Sequence, residues 1–231
     1  MKKILFAISF FLTSCAGSWN YNSASNIKAW GDLKEEFKFC KIGYNQSPID
    51  VKFPFAANEL KFFYSEISAE KERKKFSMQL NFDDGNFVLR GKKKYLLKHL
   101  EFHHPSEHLV DGEPYSLEMQ ILHKSDDEQW LILAIFLEVG KENQSFEKFI
   151  SFFSSKEKEG KISLAKIAKE NDQTFFYDGS FTTPPCKEGV KWYVMKTPIF
   201  VSKEQMQSLM KASIFTKSNA RLVQEFHPEK Y

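Results

Sequence analysis

The sequence carries little net charge, few cysteines, no internal repeat and no apolar run long enough to span a bilayer. Its net charge is +3 over 231 residues, too small a surplus to indicate a nucleic acid or an acidic substrate as partner. The N-terminal apolar run, residues 4–12, is too short for a stable membrane anchor. The length and the lack of a repeat favour one large domain over two. With 42% hydrophobic and 27% charged residues, the composition is that of a soluble globular protein with a core.

The N-terminus has the features of a secretory leader. Lys2 and Lys3 precede the apolar run, as in a signal peptide. The run ends in Leu-Thr-Ser-Cys at residues 12–15, which resembles a bacterial lipoprotein box. That resemblance implies cleavage before Cys15 and acylation of its sulfur and amine. An ordinary signal peptide with an incidental Cys15 is the alternative.

Three segments follow from this leader: a signal peptide at 1–14, a lipid-anchored tether at 15–28 and one domain at 29–231. Residues 16–27 are small and polar without periodicity, which predicts a tether between lipid and domain. Ala16 supplies no acidic retention signal, which favours the outer membrane of a two-membraned bacterium. We therefore expect an exported protein, lipid-anchored in the periplasm or at the outer membrane or cell surface.

Strand patterns dominate the domain. Residues 130–137 form a continuous apolar run, which predicts a buried central strand. Residues 190–194 alternate apolar and polar, which predicts a further strand. Residues 78–89 alternate on both sides of an Asp-Asp-Gly-Asn turn, which predicts a hairpin.

Helical patterns are few. An apolar stripe at residues 146, 149, 150 and 153 predicts one helix, and a capping box of Ser202 with Gln205 predicts another. The lysine-rich stretches 71–75 and 92–94 are typical of solvated loops. The fold class is therefore mainly β with a minor α component, in a single domain around one extended sheet.

The most chemically distinctive stretch is residues 95–123, which has a period of two on both sides of a polar loop. On the first predicted strand His99, Glu101 and His103 share a face, and on the second Glu118 and Gln120 do so. If these polar faces meet, Glu101, His103 and Gln120 converge. The pattern indicates a metal site, or one that has lost its metal.

Four ordered blocks carry a resemblance to a known family. They are QSPID at residues 46–50, FHHPSEH at 102–108, IFLEVG at 135–140 and GSFTTPP at 179–185. Their order and spacing resemble the α-class carbonic anhydrases over roughly residues 30–224. The resemblance implies a large, twisted, mostly antiparallel sheet with short peripheral helices.

The resemblance also implies a zinc ion held by three histidines. In carbonic anhydrases, the general example of zinc catalysis, the metal lowers the pKa of bound water to about 7 and supplies hydroxide. Here the three ligand positions are Glu101, His103 and Gln120, so one histidine of three is present. A carboxylate in place of an imidazole weakens the pull on bound water, and an amide oxygen is a poor zinc ligand. Zinc is therefore doubtful, and the site has reduced metal affinity or no cofactor.

Other family positions match more closely. Glu107 and Thr182 match the pair that orients zinc-bound hydroxide, and they are the catalytic candidates if the protein is active. The residues that match positions beside the ligands are His99, Glu118 and His108, and those expected in the substrate pocket are Thr183, Trp192 and Tyr177. Asn219 and Arg221 also match the family. Phe76 stands loosely where the family has a histidine proton shuttle, and it transfers no proton.

Two other arrangements of the same residues are open. In a metal-free site, Glu101 forms a charge-assisted hydrogen bond with His103 while Gln120 donates to the carboxylate, so that no polar group is left unpaired. In a shifted metal site, His99 joins the ligands from one pleat deeper. His104 and His123 point to the opposite face unless a bulge intervenes.

Two cysteines remain when Cys15 is set aside as the lipid site. Cys40 and Cys186 match positions at which exported members of the family carry a disulfide, and an oxidising compartment favours their pairing. Closing a loop of this length contributes about 4–5 kcal/mol in the chain-entropy account. Two unrelated buried thiols are the alternative.

These observations predict an exported, carbonic-anhydrase-like lipoprotein with lost or strongly reduced carbon dioxide hydratase activity, retained as a binding domain. The alternative is an active enzyme that converts carbon dioxide to bicarbonate at an altered metal site. The expected partners are the membrane through Cys15, carbon dioxide and bicarbonate if the protein is active, and an unidentified protein or glycan if it is not. The lysines of residues 71–75 are the only feature in favour of a glycan.

Overall fold

A computed structural model describes residues 18–52, 54–57, 59–167, 172–213 and 218–227. The predicted signal peptide, the lipid site Cys15 and residues 16 and 17 lie outside these ranges. The helices of the described residues are α1 Ala24–Lys28, α2 Trp30–Leu33, a 3-10 turn Glu35–Phe37, α3 Phe39–Ile42, α4 Gln144–Ser154 and α5 Lys203–Ala212. Within these ranges no helix has the length and apolarity to cross a membrane.

The strands are β1 Asp50–Val51, β2 Ala56–Ala57, β3 Leu60–Phe63, β4 Glu66–Arg73, β5 Met78–Phe82, β6 Phe87–Arg90, β7 Lys93–His103, β8 Leu109–Val110, β9 Glu113–Pro114, β10 Leu117–Lys124, β11 Trp130–Val139, β12 Glu159–Ser163, β13 Gln173–Ser180, β14 Glu188–Met195 and β15 Ile199–Val201. Twelve of them form one sheet in the order β12-β4-β5-β7-β10-β11-β14-β13-β2, with β3, β6 and β15 attached at its side. Strands β1, β8 and β9 make a small second sheet.

The large sheet is mixed rather than wholly antiparallel. Strand β11 runs antiparallel to β10 and parallel to β14 and β15, while the other pairs in the sheet are antiparallel. The single, mainly β domain predicted from the sequence is confirmed.

Strand β11 is central, as its apolar run predicts. Residues 131–137 are all buried, because core packs against both faces of the sheet. On one face Leu133 and Ile135 join a cluster that includes the four apolar residues of α4; on the other, Ile132 and Phe136 join a second cluster. A strand covered on both sides needs apolar residues at every position.

Both predicted helices are confirmed. Helix α4 buries Phe146, Phe149, Ile150 and Phe153 on the face that meets the sheet. Helix α5 begins at the predicted capping box, in which the Ser202 side chain accepts from the Gln205 backbone and the Gln205 side chain accepts from the Ser202 backbone. Each bond satisfies an amide that the first turn of a helix leaves without an intrahelical partner.

The predicted hairpin at residues 78–89 is wrong. Strands β5 and β6 lie where the alternation places them, but they do not pair with each other. Both pair antiparallel with β7, β5 through Leu80–Leu100 and β6 through Phe87–Leu96. The turn between them carries the chain from residues 99–100 of β7, which pair with β5, to residues 93–96, which pair with β6. The turn residues therefore separate two strands that share a partner and do not form the loop of a hairpin.

The N-terminal segment also differs from the expectation of a tether. From Trp19 onward it packs on the domain. Tyr21 and Trp30 are buried, and Trp19 contacts both, with ring centroids 5.7 and 5.4 Å away. Helix α1 occupies the last part of the segment, capped by the Ser23 side chain. Aromatic residues, rather than the small polar ones around them, decide the conformation here.

Two further predictions concern charged and sulfur side chains. Lys71 lies in strand β4 rather than in a solvated loop, and its amine donates to the backbone carbonyls of Phe152 and Ser155 at 3.1 and 2.7 Å.

The predicted pairing of Cys40 with Cys186 is confirmed, with Cα atoms 5.0 Å apart. The bond fastens α3 to the loop between β13 and β14, which carries the Thr-Thr-Pro-Pro block.

Candidate active site

Strands β7 and β10 place the three predicted ligand positions on one face of the sheet. In their antiparallel register Glu101 lies opposite Gln120, and His103 lies opposite Glu118. The intervening Phe102 and Met119 point into the core on the other face. The alternation of the sequence therefore brings the predicted residues together, because successive side chains of a strand point to opposite faces.

A half-open cavity of about 330 Å³ lies over this face. The polar residues of its lining are Lys74, Lys75, Ser77, Gln79, His99, Glu101, His103, Thr183 and Asn219, and its aromatic walls are formed by Trp19, Tyr21, Phe76, Trp130 and Phe181. Of the predicted site, the cavity thus receives His99, Glu101, His103 and Thr183. Gln120 does not line it.

Glu101 and His103 form an ion pair without a direct hydrogen bond. Their closest atoms, Glu101 Oε1 and His103 Nε2, are 3.9 Å apart, which is beyond hydrogen-bond reach. Glu101 Oε2 instead accepts from the Ser77 hydroxyl at 3.2 Å, and His103 Nδ1 donates to the Asn219 carbonyl at 2.9 Å. The Nε2 atom is buried without a hydrogen-bond partner among the described residues. The direct bond that the metal-free arrangement predicts is therefore absent.

The surroundings of Glu101 and His103 stabilise the charged form of each side chain. Burial alone raises the pKa of Glu101, but the positive charge of His103, with smaller contributions from the charge of His99 and the hydrogen bond of Ser77, outweighs it and lowers the pKa. Burial alone lowers the pKa of His103, but the carboxylates of Glu107 and Glu101 and the Asn219 carbonyl raise it to about 10. The cavity pair, Glu101 and His103, is a carboxylate beside an imidazolium at neutral pH.

Gln120 turns away from the cavity pair. Its side-chain nitrogen donates to Glu107 Oε2 at 2.8 Å and to Glu118 Oε1 at 2.9 Å. The expectation that Gln120 donates to Glu101 is wrong. Two buried carboxylates lie within reach of the same amide, and leaving them without a hydrogen bond costs more free energy than leaving the partly exposed Glu101 without one. The amide joins a group that we call the inner network: Gln120, Glu107, Glu118, His108 and Tyr177.

Glu118 binds His108 as well as Gln120. Its carboxylate accepts from His108 Nδ1 at 2.9 Å and from the His108 backbone amide at 2.8 Å. Burial alone raises the pKa of Glu118, but the charge and hydrogen bonds of His108 outweigh it and lower the pKa. With Nδ1 donating to the carboxylate, His108 Nε2 lies 2.7 Å from the Tyr177 hydroxyl, which donates to Ser47 Oγ at 2.8 Å.

Tyr177 and Trp192 therefore do not line a substrate pocket, and that prediction is wrong. Both are at most 1% exposed and belong to a core cluster on the same face of the sheet as the ligand positions, further along the sheet. Tyr177 continues the hydrogen-bonded series from Glu118 to Ser47, and Trp192 packs against the His108 ring with centroids 4.8 Å apart. They support the inner network from the neighbouring strands β13 and β14.

Glu107 is the most crowded acid of the site. Besides Gln120 it accepts from the Arg221 backbone amide at 2.8 Å, and the nearby Thr182 side chain acts to lower its pKa. Burial raises the pKa of this carboxyl, with Glu118 adding to the effect against the lowering influence of His103. His103 Nδ1 lies 3.4 Å from Glu107 Oε1 and so links the inner network to the cavity pair.

The other histidines are separate from the ligand positions. His99 lines the cavity one pleat beyond Glu101, and burial lowers its pKa. His123 is completely buried, with Nε2 2.7 Å from the Tyr64 hydroxyl, and His104 Nδ1 donates to the Ser116 carbonyl at 2.9 Å. Neither faces the cavity.

Sequence reasoning missed Ser77 and the aromatic roof of the cavity. Ser77 carries no motif of its own. Trp19 and Tyr21 give a signal, since two aromatic residues two positions apart stand out in an otherwise small and polar segment. The sequence identifies Phe76 only as a missing proton shuttle, whereas its ring packs against both of the others with centroids 4.8 and 5.2 Å away.

The residues do not fit the zinc that the resemblance implies. His103 Nε2 has no hydrogen-bond partner among the described residues and Glu101 is a carboxylate near it, but the third position, Gln120, is bonded to two acids outside the cavity. Within the described part of the chain, no group of three or more histidine, cysteine, aspartate or glutamate side chains is arranged to hold a metal ion. A catalytic zinc requires three good protein ligands.

Comparison with known proteins agrees with the architecture. The family profile described as "Eukaryotic-type carbonic anhydrase" matches residues 25–230. The chain is similar to a carbonic anhydrase of Neisseria gonorrhoeae, at 28% identity over 90% of this chain and 87% of that protein. It is also similar to Dioscorin DB3L of Dioscorea polystachya, at 32% identity over 90% and 85%. The solved α-carbonic anhydrase of Thermovibrio ammonificans, in complex with sulfanilamide, superposes with a TM-score of 0.78 at 33% identity, covering 90% and 95% of the two chains.

Proposed function

The chain belongs to the eukaryotic-type, α-class carbonic anhydrase family, and from that premise we propose that it is a member without the catalytic zinc. In this proposal the hydration of carbon dioxide is lost or strongly reduced, and the domain is retained to bind a ligand or partner. The observation that carries the proposal is the position of Gln120, whose amide protons are bound by Glu107 and Glu118.

The energetics of the inner network support this proposal. Two carboxylates at 0–1% exposure are costly unless each is hydrogen-bonded, and Gln120 supplies a proton to both. Turning its amide toward a metal would take both bonds away at once. A neutral amide oxygen gains too little from zinc to offset that loss. Gln120 is therefore better explained as a replacement for a metal ligand than as a weak one.

One specific feature favours the alternative, an active enzyme with an altered metal site. Thr182 and Glu107, the pair that orients zinc-bound hydroxide in the family, are both present, and Thr182 acts to lower the pKa of Glu107. His103 Nε2 also remains without a hydrogen-bond partner among the described residues. In that alternative, carbon dioxide and bicarbonate are the substrate and product. The donor set of one imidazole and one carboxylate makes it the second candidate.

We further propose that the protein is exported and held at a membrane by lipid on Cys15, in the periplasm or at the outer membrane or cell surface. The disulfide between Cys40 and Cys186 supports export, because such bonds persist in oxidising compartments. The Lys-rich and apolar N-terminal pattern supports the lipid anchor. Nucleic acid is not among the proposed partners, since the net charge is only +3.

The experiment that tests the proposal is the metal content of the purified domain, produced from residue 16 onward with Cys40 and Cys186 oxidised. We expect less than stoichiometric zinc by elemental analysis after incubation with excess zinc and removal of the free ion, and hydration of carbon dioxide close to the uncatalysed rate. The matched positive control is the variant with Glu101→His and Gln120→His. Stoichiometric zinc together with catalysed hydration in the unmodified protein would establish the alternative instead.

A further inference from the structure

We propose that the cavity over strands β7 and β10 binds a small neutral aromatic compound that carries a hydroxyl group. This inference rests on the proposed function, because it takes the cavity pair to be free of metal, and it adds the chemical class of the ligand. The floor of the cavity would form hydrogen bonds with the hydroxyl, and the walls would pack against the ring.

The floor presents two polar atoms with a gap between them. Glu101 Oε1 and His103 Nε2 are 3.9 Å apart, and Nε2 is buried without a hydrogen-bond partner among the described residues. An oxygen bonded to both would lie about 2.8 Å from each atom, which their separation of 3.9 Å allows. A hydroxyl suits this position in either protonation state of His103, because it both donates and accepts. It donates to the carboxylate and accepts from a protonated Nε2, and it donates to Nε2 when that atom is neutral.

The floor is also held in place. The second oxygen of Glu101 accepts from Ser77, and the other ring nitrogen of His103 donates to Asn219. These bonds fix the carboxylate and the imidazole before a ligand arrives, so little ordering remains to be done on binding.

The walls select a flat apolar body. Trp19 and Phe76 form one pair of contacting rings, with centroids 4.8 Å apart, and Trp130 and Phe181 form another, 5.4 Å apart. All four line the cavity, whose volume of about 330 Å³ is near the lower end of the roughly 300–1,000 Å³ common for small-molecule sites. Ring faces and edges of this kind pack favourably with another aromatic ring.

The charges at the cavity favour a neutral ligand over an anion. Glu101 and His103 carry opposite charges that balance each other, and an anionic group between them would lie directly beside the Glu101 carboxylate. The two lysines at the cavity keep their charge, but their amines are already engaged, because Lys75 donates to the Trp19 carbonyl and to the Ser18 hydroxyl, and Lys74 pairs with Glu72. A hydroxyl bonds the carboxylate without adding charge.

The test is calorimetric titration of the disulfide-bonded domain, from residue 16 onward, with 4-ethylphenol and with 4-ethyltoluene. The two probes have nearly the same shape and differ only by a hydroxyl in place of a methyl group. We expect 4-ethylphenol to bind at least about tenfold more tightly, the ratio that one hydrogen bond to a charged group supplies. Glu101→Leu should remove this preference while 4-ethyltoluene still binds, which also shows that the variant is folded.

The matched control is Glu113→Leu, which removes an exposed carboxylate of β9 outside the cavity and should leave both affinities unchanged. Equal affinity of the two probes for the unmodified domain would overturn the inference while leaving a binding domain without zinc. Failure of both probes to bind a zinc-free domain would overturn it as well. Stoichiometric zinc with catalysed hydration would instead overturn the proposed function beneath it.

Discussion

The inner network and the cavity pair are neighbours on one face of the sheet, yet their polar atoms are hydrogen-bonded to different extents. In the inner network both carboxylates are almost completely buried and each accepts several hydrogen bonds. In the cavity pair, the Glu101 side chain is 21% exposed, and His103 keeps one nitrogen unbound among the described residues. The replacement of two ligand histidines is thus compensated by hydrogen bonds in the inner network but not in the cavity pair. The cavity pair lies beside the half-open cavity, where a ligand can supply the hydrogen bond that His103 Nε2 lacks.

The strongest way to break this comparison is to restore the metal ligands. Glu101→His combined with Gln120→His gives three histidines on one face, with Glu107 and Thr182 close by. We expect stoichiometric zinc and a rise in carbon dioxide hydration of at least about 100-fold, since zinc supplies hydroxide at neutral pH. Stopped-flow hydration assays and elemental analysis measure the two effects.

The single variants serve as controls for the double one. Each restores one ligand and should bind zinc more weakly. A double variant that takes up stoichiometric zinc without catalysing hydration would show that the surroundings of the old site no longer support the reaction.

The next largest effect tests the inner network itself. Gln120→Leu removes the one amide that serves both Glu107 and Glu118. We expect a loss of about 3 kcal/mol in the free energy of unfolding, because two buried carboxylates each lose a donor. Urea denaturation measures it. Gln173→Leu, at an exposed position of β13, should change stability by less than about 0.5 kcal/mol. A similar cost in the two variants would mean that the inner network does not depend on Gln120.

The pH dependence of stability sharpens the comparison for the cavity pair. The folded-state pKa of His103 is raised from 6.5 to about 10, so its contribution is complete below pH 6.5 and is lost as the pH rises through 10. The pKa of Glu101 is lowered from 4.5 to about 2, so its contribution is complete above pH 4.5 and is lost as the pH falls toward 2. The difference in melting temperature between the protein and a His103→Gln variant should therefore be greatest between pH 4.5 and 6.5. A difference that grows steadily up to pH 10 would contradict this assignment.

The smallest expected effect is that of Glu101→Gln. Its side chain reaches the cavity and bonds only Ser77, which an amide oxygen also accepts from. We expect some loss of stability, because the charge of His103 then has one carboxylate fewer beside it, and a larger loss for Glu118→Gln, whose carboxylate accepts three hydrogen bonds in the inner network. Thermal unfolding of the two variants, side by side, gives the comparison. Equal losses would mean that the two halves of the site are equally closed.

The face of each site residue was predictable from the sequence, whereas its hydrogen-bond partner was not. Strand alternation decides which side Glu101, His103 and Gln120 share, and the register confirms it. The direction of the Gln120 amide depends instead on Glu107 and Glu118. Glu107 is itself held by Arg221, 114 positions further along the chain. A local pattern contains no information on such a choice.

The same limit explains the two errors in the fold. The alternation of residues 78–89 gives the strands but not their neighbour, because strand β7 is eleven residues long and has room for β5 and β6 in succession. The polarity of residues 16–27 predicts a tether. The segment packs on the domain instead, because Trp19 and Tyr21 contact Phe76, which is more than fifty positions away and is not visible in the local pattern. Contacts between distant segments decide both cases.

The packing of Trp19 at the cavity has a consequence for where the protein meets its ligand. Only three peptide links separate Cys15 from Ser18, so their Cα atoms are at most about 11 Å apart. If Cys15 is acylated as we propose, the cavity mouth lies within a few residues' reach of the lipid headgroups. A compound with an aromatic ring and a hydroxyl gathers at that boundary, where one end is wet and the other apolar. The domain would then meet its ligand at the membrane surface, where the compound is concentrated, rather than in the bulk solution.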